Sequence, residues 1–262
     1  MAIAAHPDDI EFYMAGTMLL LRRAGWRVHY FNLSQGNLGS KTLPGPRIAA
    51  VRRREARQAA ALLDATWHPP IRRDLEIFYD DRTLREVAAV VRQVKPTLLL
   101  THSPQDYMED HVSTCRLAVT AAFARGFPNY RTRPARPAME GEVAVYHAMP
   151  HLLCDPLGQP VTPEFIVNIS SVMAEKRAAL SAHRSQKEWL DATQGMDSYL
   201  RTMEALSAEV GRMSGRFRHG EGWRRHLHAG FCAPQADPLR TTLKRLYATH
   251  PRYAQKTKLH RP

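Results

Sequence analysis

The sequence predicts an α/β fold: a three-layer αβα sandwich built on a Rossmann-like, mostly parallel sheet. Three observations carry that expectation. Apolar runs of strand length alternate with longer stretches of helical periodicity from the first residues onward. The opening reads strand–helix–strand, and parallel neighbours need such a crossover. The 262 residues, 44% hydrophobic and 24% charged, suit one large domain with a buried core.

Each element has its own signal. "AIAA" is a short buried strand, and residues 12–25 follow at helical spacing, ending on Gly25 as a C-cap. "RVHYFNLS" is the second strand. The glycine-rich "SQGNLGSKTLPGP" lacks the strand–GxxxxGK[ST]–helix order of a phosphate loop and reads as a cleft rim or lid. A helix is expected over 47–64, a strand near Leu75–Tyr79 and a helix over 81–93. After Pro96 come the strand "TLLLT", a loop "HSPQDYMED" and a helix from about His111 to Ala124. A Pro- and Arg-rich excursion spans 126–142; "EVAVYHA" and "EFIVNIS" are further strands, and helices are expected at 171–190 and 197–212. Residues 1–190 read as the core. Residues 191–262 read as a helical extension and basic tail of the same domain.

Composition excludes several classes. Three widely spaced cysteines without CxxC argue against a disulfide framework or a cysteine zinc site and favour a reducing compartment. With no basic stretch leading into an apolar h-region and no apolar run long enough to span a bilayer, the expectation is a cytoplasmic protein with no membrane partner. The formal charge of +12 raises the question of nucleic acid, but residues 240–262 hold seven Lys/Arg and no acid, so +5 remains for the rest. The excess therefore reads chiefly as a solvated tail, and no aromatic-basic interleaving supports a nucleic-acid surface. Oligomeric state stays open, a homo-oligomer included.

Chemistry concentrates in two loops. In open parallel sheets, ligands bind at the carboxyl ends of strands where the order reverses. Both "HPDD" (6–9) and the loop from His102 to His111 stand at such ends, and a 3-2-1-4-5 order would face them across one cleft. Two adjacent aspartates repel, which invites a cation. His6 and Asp9, three apart on a turn, share a face and can chelate one ion; His111 completes a His–Asp–His set, the usual three-ligand arrangement of catalytic zinc. Iron or manganese would also suit it. Asp8 then points elsewhere and is placed to take a proton from the ion's water. The competing reading is that Asp8 or Asp9 merely caps the following helix. Asp110 is expected to be a helix N-cap, and Glu11 a first-turn acid stabilised by the helix dipole.

"AHPDD" with the downstream "DH" at 110–111 resembles the LmbE-like/PIG-L N-acetylglucosamine deacetylases. "RRREARQAAALLDA" (52–65), "PTLLLTHSPQDYMEDH" (96–111) and "KRAALSAHRSQ" (176–186) extend the likeness over most of 2–190. The resemblance implies zinc-dependent hydrolysis of an N-acetyl group on an amino sugar or sugar conjugate. It implies His6, Asp9 and His111 as metal ligands and Asp8 as general base, and it places Arg52 near substrate, where the alternative is a surface salt bridge with Glu55. One departure stands out: where the family often has the first histidine of H-x-D-H, this chain has Met108. His102, Asp106, Tyr107 and His183 are candidates to fill that gap. Of these, His102, Asp106 and His183 are expected, with Arg52, to bind substrate; Asp106 has the further option of orienting a ligand histidine. His147 and His151 are expected on a loop lining the pocket. Two other activities fit less well: an amidase acting on a thiol-sugar conjugate, and a non-enzymatic nucleic-acid binder using the tail.

Overall fold

The structure is a computed structural model describing residues 1–194 and 198–253. Its centre is an eight-stranded sheet of order β3-β2-β1-β4-β5-β7-β6-β8. The strands are β1 (Ala2–Ala4), β2 (Val28–Asn32), β3 (Ala65–His68), β4 (Leu98–Thr101), β5 (Ala144–Ala148), β6 (Phe165–Asn168), β7 (Gly220–Arg225) and β8 (Tyr247–Thr249). β1 to β5 pair in parallel, whereas β7 is antiparallel to both β5 and β6, and β8 is antiparallel to β6.

Strand alternation distributes the core over two faces. Ala2, Tyr30, Leu98, Leu100 and Tyr146 face one cluster, packed under α1 (Asp9–Tyr13), α2 (Ala15–Arg23), α3 (Gly45–Leu62) and α6 (Met173–Ser181). Ile3, Phe31, Leu99 and Val145 face the other, under α4 (Asp81–Val94) and α5 (Glu109–Phe123). This is the expected αβα sandwich. The remaining helices are α7 (Arg184–Gln194), α8 (Ser198–Met213) and α9 (Pro238–Leu243).

Several expectations are corrected. The helix over 12–25 is two helices, broken at Met14 (φ −131°). The break frees the amides of Gly16 and Thr17, and the Glu221 carboxylate accepts from both, at 2.8 and 2.7 Å. Leu75–Tyr79 is not a strand; the ladder partner of β2 is residues 65–68. Pro69 and Pro70 stop β3, and Leu75 takes a left-handed φ of 62° with its amide bonded to Asp110 (2.8 Å). The C-terminal segment is not only helical. It contributes β7 and β8 to the sheet, and its basic stretch is folded through residue 253 as α9, a 3-10 turn and β8. Residues 254–262 lie outside the described residues. No helix among the described residues is long and apolar enough to cross a membrane.

His147 lies in β5 itself, not on a loop, and is 5% exposed. Its Nδ1 donates to the His102 carbonyl (2.9 Å) and its Nε2 meets His226 Nδ1 (2.9 Å). Burial lowers its pKa to about 4. The unfolded chain, near 6.5, then binds more protons than the folded one between those values, so stability falls as pH drops through that window. The expected loss from this residue at pH 4 is on the order of 3 kcal/mol. Urea unfolding of wild type and His147→Gln at pH 7 and 4 checks it; an equal acid loss in both proteins would refute it.

Candidate active site

β1 and β4 are neighbours, so the loops leaving their carboxyl ends meet, as the 3-2-1-4-5 order required. In the first loop, the Asp9 amide donates to the His6 carbonyl (3.2 Å) and the His6 amide to Asp9 Oδ2 (2.7 Å). The tight turn leaves Asp8 at φ 111°, a left-handed conformation that is costly for a non-glycine residue and persists where surrounding contacts impose it. Asp8 occupies the N-cap position of α1, but its side chain makes no capping hydrogen bond. The helix-cap explanation of the paired aspartates therefore does not hold.

His6, Asp9 and His111 bring one donor atom each to within 4.8 Å of one another. Each histidine has a second carboxylate behind it. His6 Nε2 meets Asp110 Oδ2 at 3.0 Å, leaving Nδ1 toward Asp9 (3.3 Å). His111 Nδ1 lies 3.2 Å from Asp106 Oδ1, leaving Nε2 3.3 Å from Asp9 Oδ1. Both His111 nitrogens are buried and neither makes a protein hydrogen bond. Burial opposes charge on His6, yet Asp110 and Asp9 raise it to about 9; burial opposes charge on His111, yet Asp9 and Asp106 raise it to about 10. Asp9 is held well below the usual carboxylate range by His111 despite its burial. Two histidines so avid for positive charge, with a carboxylate between them and a further carboxylate beside each, fit a divalent cation. Asp110 is thus not a helix cap: Met108 holds the N-cap position of α5, and the Asp110 carboxylate instead serves His6 and the Leu75 amide.

Asp8 stands outside this donor set. Its Oδ2 accepts from Tyr199 Oη (2.7 Å) and lies 3.3 Å from an Arg52 nitrogen, which also donates to the Pro7 carbonyl (2.7 Å). Burial pushes the Asp8 pKa up, against the pull of Arg52. Tyr199, itself held well above its ordinary pKa by burial, keeps its proton and donates. Arg52 is 3% exposed and makes no surface pair with Glu55, whose carboxylate takes the Ser185 amide and hydroxyl. Tyr199 was not singled out from the sequence; it lies 191 residues from Asp8 and no local pattern marks it.

A cleft of about 560 Å³ opens over His6, Asp8, Asp9, Arg52 and His111. Leu38 and Gly39 form part of its rim, as expected for the glycine-rich loop. His102, Asp106 and His183 are brought to the site but lie behind the cleft wall, 2, 3 and 0% exposed. His102 stacks on His111 (4.0 Å between centroids) and its Nε2 accepts from the Ala5 amide (2.9 Å), while burial keeps its pKa low. His183 Nε2 is 3.3 Å from Glu11 Oε1. Glu11 stands in the first turn of α1, as expected, but it is fully buried there and also accepts from Tyr30 Oη (3.2 Å). Of the groups weighed against Met108, only Tyr107 lines the cleft; His151 lines it too, hydrogen-bonded through Nδ1 to Tyr13 Oη (3.1 Å), whereas His147 does not.

The match to known proteins follows the same residues. Residues 1–123 fit the family model described as PIG-L, GlcNAc-PI de-N-acetylase. This N-terminal part of the chain thus matches the PIG-L (LmbE-like) family. The chain is 28% identical over 232 residues to diacetylchitobiose deacetylase of Thermococcus kodakarensis, covering 86% of this chain and 81% of that one. It is also 28% identical over 195 residues to 4-oxalmesaconate hydratase of Pseudomonas putida, covering 71% and 73%. The structure of N,N'-diacetylchitobiose deacetylase from Pyrococcus horikoshii superposes with a TM-score of 0.71 at 25% identity, over 86% of this chain and 82% of the other.

Proposed function

We propose that this protein is a PIG-L-type metal-dependent hydrolase, zinc being the first candidate, that removes the N-acetyl group from an N-acetylglucosamine-type amino sugar or sugar conjugate. One observation carries the reading: a ligand-ready His6–Asp9–His111 set shares a cleft with Asp8, a carboxylate that the set does not use. The deacetylase relatives support it. A bound divalent ion supplies a Lewis acid and lowers the pKa of water.

The chain's own residues do the rest. Tyr199 and Arg52 occupy Asp8 Oδ2, and no protein hydrogen bond to Oδ1 is made by the described residues, so Oδ1 is the atom that takes the proton of attacking water. Arg52 pulls the Asp8 pKa down against the upward push of burial. Asp110 and Asp106 orient His6 and His111. His102 packs His111 from behind, and His183 with Glu11 supports the helix that carries Asp9. These residues act by positioning, and Arg52 acts on substrate through Asp8.

The hydratase relative defines the second outcome of the test. Zinc-supplied wild type should carry close to one equivalent of metal and release acetate from N-acetylated amino sugars, with the activity lost to a chelator and regained with zinc. His111→Ala should lose most of the metal and the activity together. Metal binding without acetate release from any amino-sugar amide would overturn the deacetylase reading in favour of hydration; no metal in either protein would overturn both.

A further inference from the structure

The rim of the cleft has a composition that the hydrolytic centre does not explain. Leu38, Leu75, Tyr107 and Leu152 are exposed by 54, 65, 59 and 64%, come from four separate loops, and all line this one cleft. Two of them hold left-handed backbone, Leu75 at φ 62° and Leu152 at φ 57°, a conformation that branched apolar residues seldom adopt. Leu75 is tied to the metal-ligand shell, because its amide donates to the same Asp110 carboxylate that holds His6. The apolar lining thus converges at some conformational cost, and its position is geared to the reacting centre.

The charges point the same way. Asp74 is spent on the Gly36 and Leu38 amides (2.8 and 2.9 Å), which pins the glycine-rich rim. Arg52 is the one arginine or lysine among the described lining residues, and it is buried against Asp8 and the Pro7 carbonyl. Lys41 is not a lining residue; its ammonium sits 5.4 Å from the ring centre of Trp189, which is. A phosphate or carboxylate on the substrate would meet no open guanidinium fork.

On the deacetylase reading, we infer that the group attached to the acetylated amino sugar is apolar and uncharged, an alkyl or aryl substituent seated among Leu38, Leu75, Tyr107 and Leu152. These four side chains set specificity. Each methylene buried on such a surface is worth up to roughly fourfold in affinity.

The test uses zinc-loaded wild type and acetate release from methyl, hexyl and carboxypentyl 2-acetamido-2-deoxy-glucosides. The hexyl compound should exceed the methyl one by about 10- to 100-fold in kcat/KM, mostly through KM, and the terminal carboxylate should remove most of that gain. Leu75→Ser with Leu152→Ser should compress the hexyl-to-methyl ratio several-fold. A ratio near one, a preference for the carboxylate, or a ratio untouched by the double substitution would overturn the inference. Calorimetric binding of hexyl and methyl glucosaminides, the deacetylated forms, separates the two levels. Absent turnover with tight hexyl binding would sink the deacetylase reading and leave the apolar site standing; equal binding would sink the site.

Discussion

An Asp8→Asn protein is expected to fold, carry as much metal as wild type and lose roughly 10²- to 10⁴-fold in kcat, the range spanned by removal of a positioned general base. The fold should survive because asparagine tolerates the left-handed conformation seen at this position (φ 111°) as well as aspartate does. The amide oxygen still accepts from Tyr199 and Arg52, and the isostere fills the same space. Metal should stay because the donor set is His6, Asp9 and His111. What the amide cannot do is take a proton. Some stability should go as well, since Arg52 loses a counter-charge at 3% exposure. The measurement is acetate release beside elemental analysis of the same sample. Full turnover at unchanged metal content would remove Asp8 from the mechanism.

Glu221→Ala should cost about 3–5 kcal/mol of stability, the range found when one member of a buried ion pair is deleted. Lys176 Nζ, 1% exposed, donates to Glu221 Oε1 at 2.6 Å and would be left charged and unpaired. The Gly16 and Thr17 amides, at the start of α2, would lose their acceptor at the same time. Against a typical total of roughly 5–15 kcal/mol, that is enough to leave much of the protein unfolded near 37 °C. Guanidinium titrations of wild type, Glu221→Gln and Glu221→Gln with Lys176→Met give the size. The glutamine should cost less than alanine, because it still accepts from a backbone amide. Adding Lys176→Met should recover part of the loss, because the stranded charge is gone. No recovery would mean that the helix cap, not the ion pair, holds the energy.

The clustering of His6, Asp9 and His111 was legible because its information is local. His6 and Asp9 share one turn, and the parallel topology that joins β1 to β4 follows from alternating strands and helices. What stayed hidden depends on contacts distant in sequence. Nothing near "DDIEF" announces Tyr199 or the contact that Arg52, placed near the cleft by the family resemblance, makes with Asp8, and nothing near "EDH" says that Asp110 turns back to His6. β7 escaped because its sequence, GEGWRR, has two glycines and three charged residues, a poor strand by propensity. The glycines are there because Ile166 and Met149 press on Gly220 and Gly222, where an added Cβ would lie 2.6 and 2.7 Å from them. Its glutamate is buried only because Lys176 waits for it. Conversely, Leu75–Tyr79 has strand-like composition but joins no ladder: Leu75 lines the cleft, while Ile77 packs into the core under α4 and α5.

The place of β7 has a consequence for how the chain acquires its structure during synthesis. β5 and β6 are only sixteen residues apart in sequence, yet they never touch as partners; β7, made some fifty residues later, is inserted between them. β1 to β5 can assemble as soon as Ala148 has emerged, but the other half of the sheet has to keep a gap open, or close it wrongly, until Arg225 arrives. Such a late, long-range insertion makes for slow completion and a period in which two unpaired strand edges face solvent. A ribosome-bound chain released shortly before Gly220 should therefore be the most aggregation-prone length that this sequence passes through.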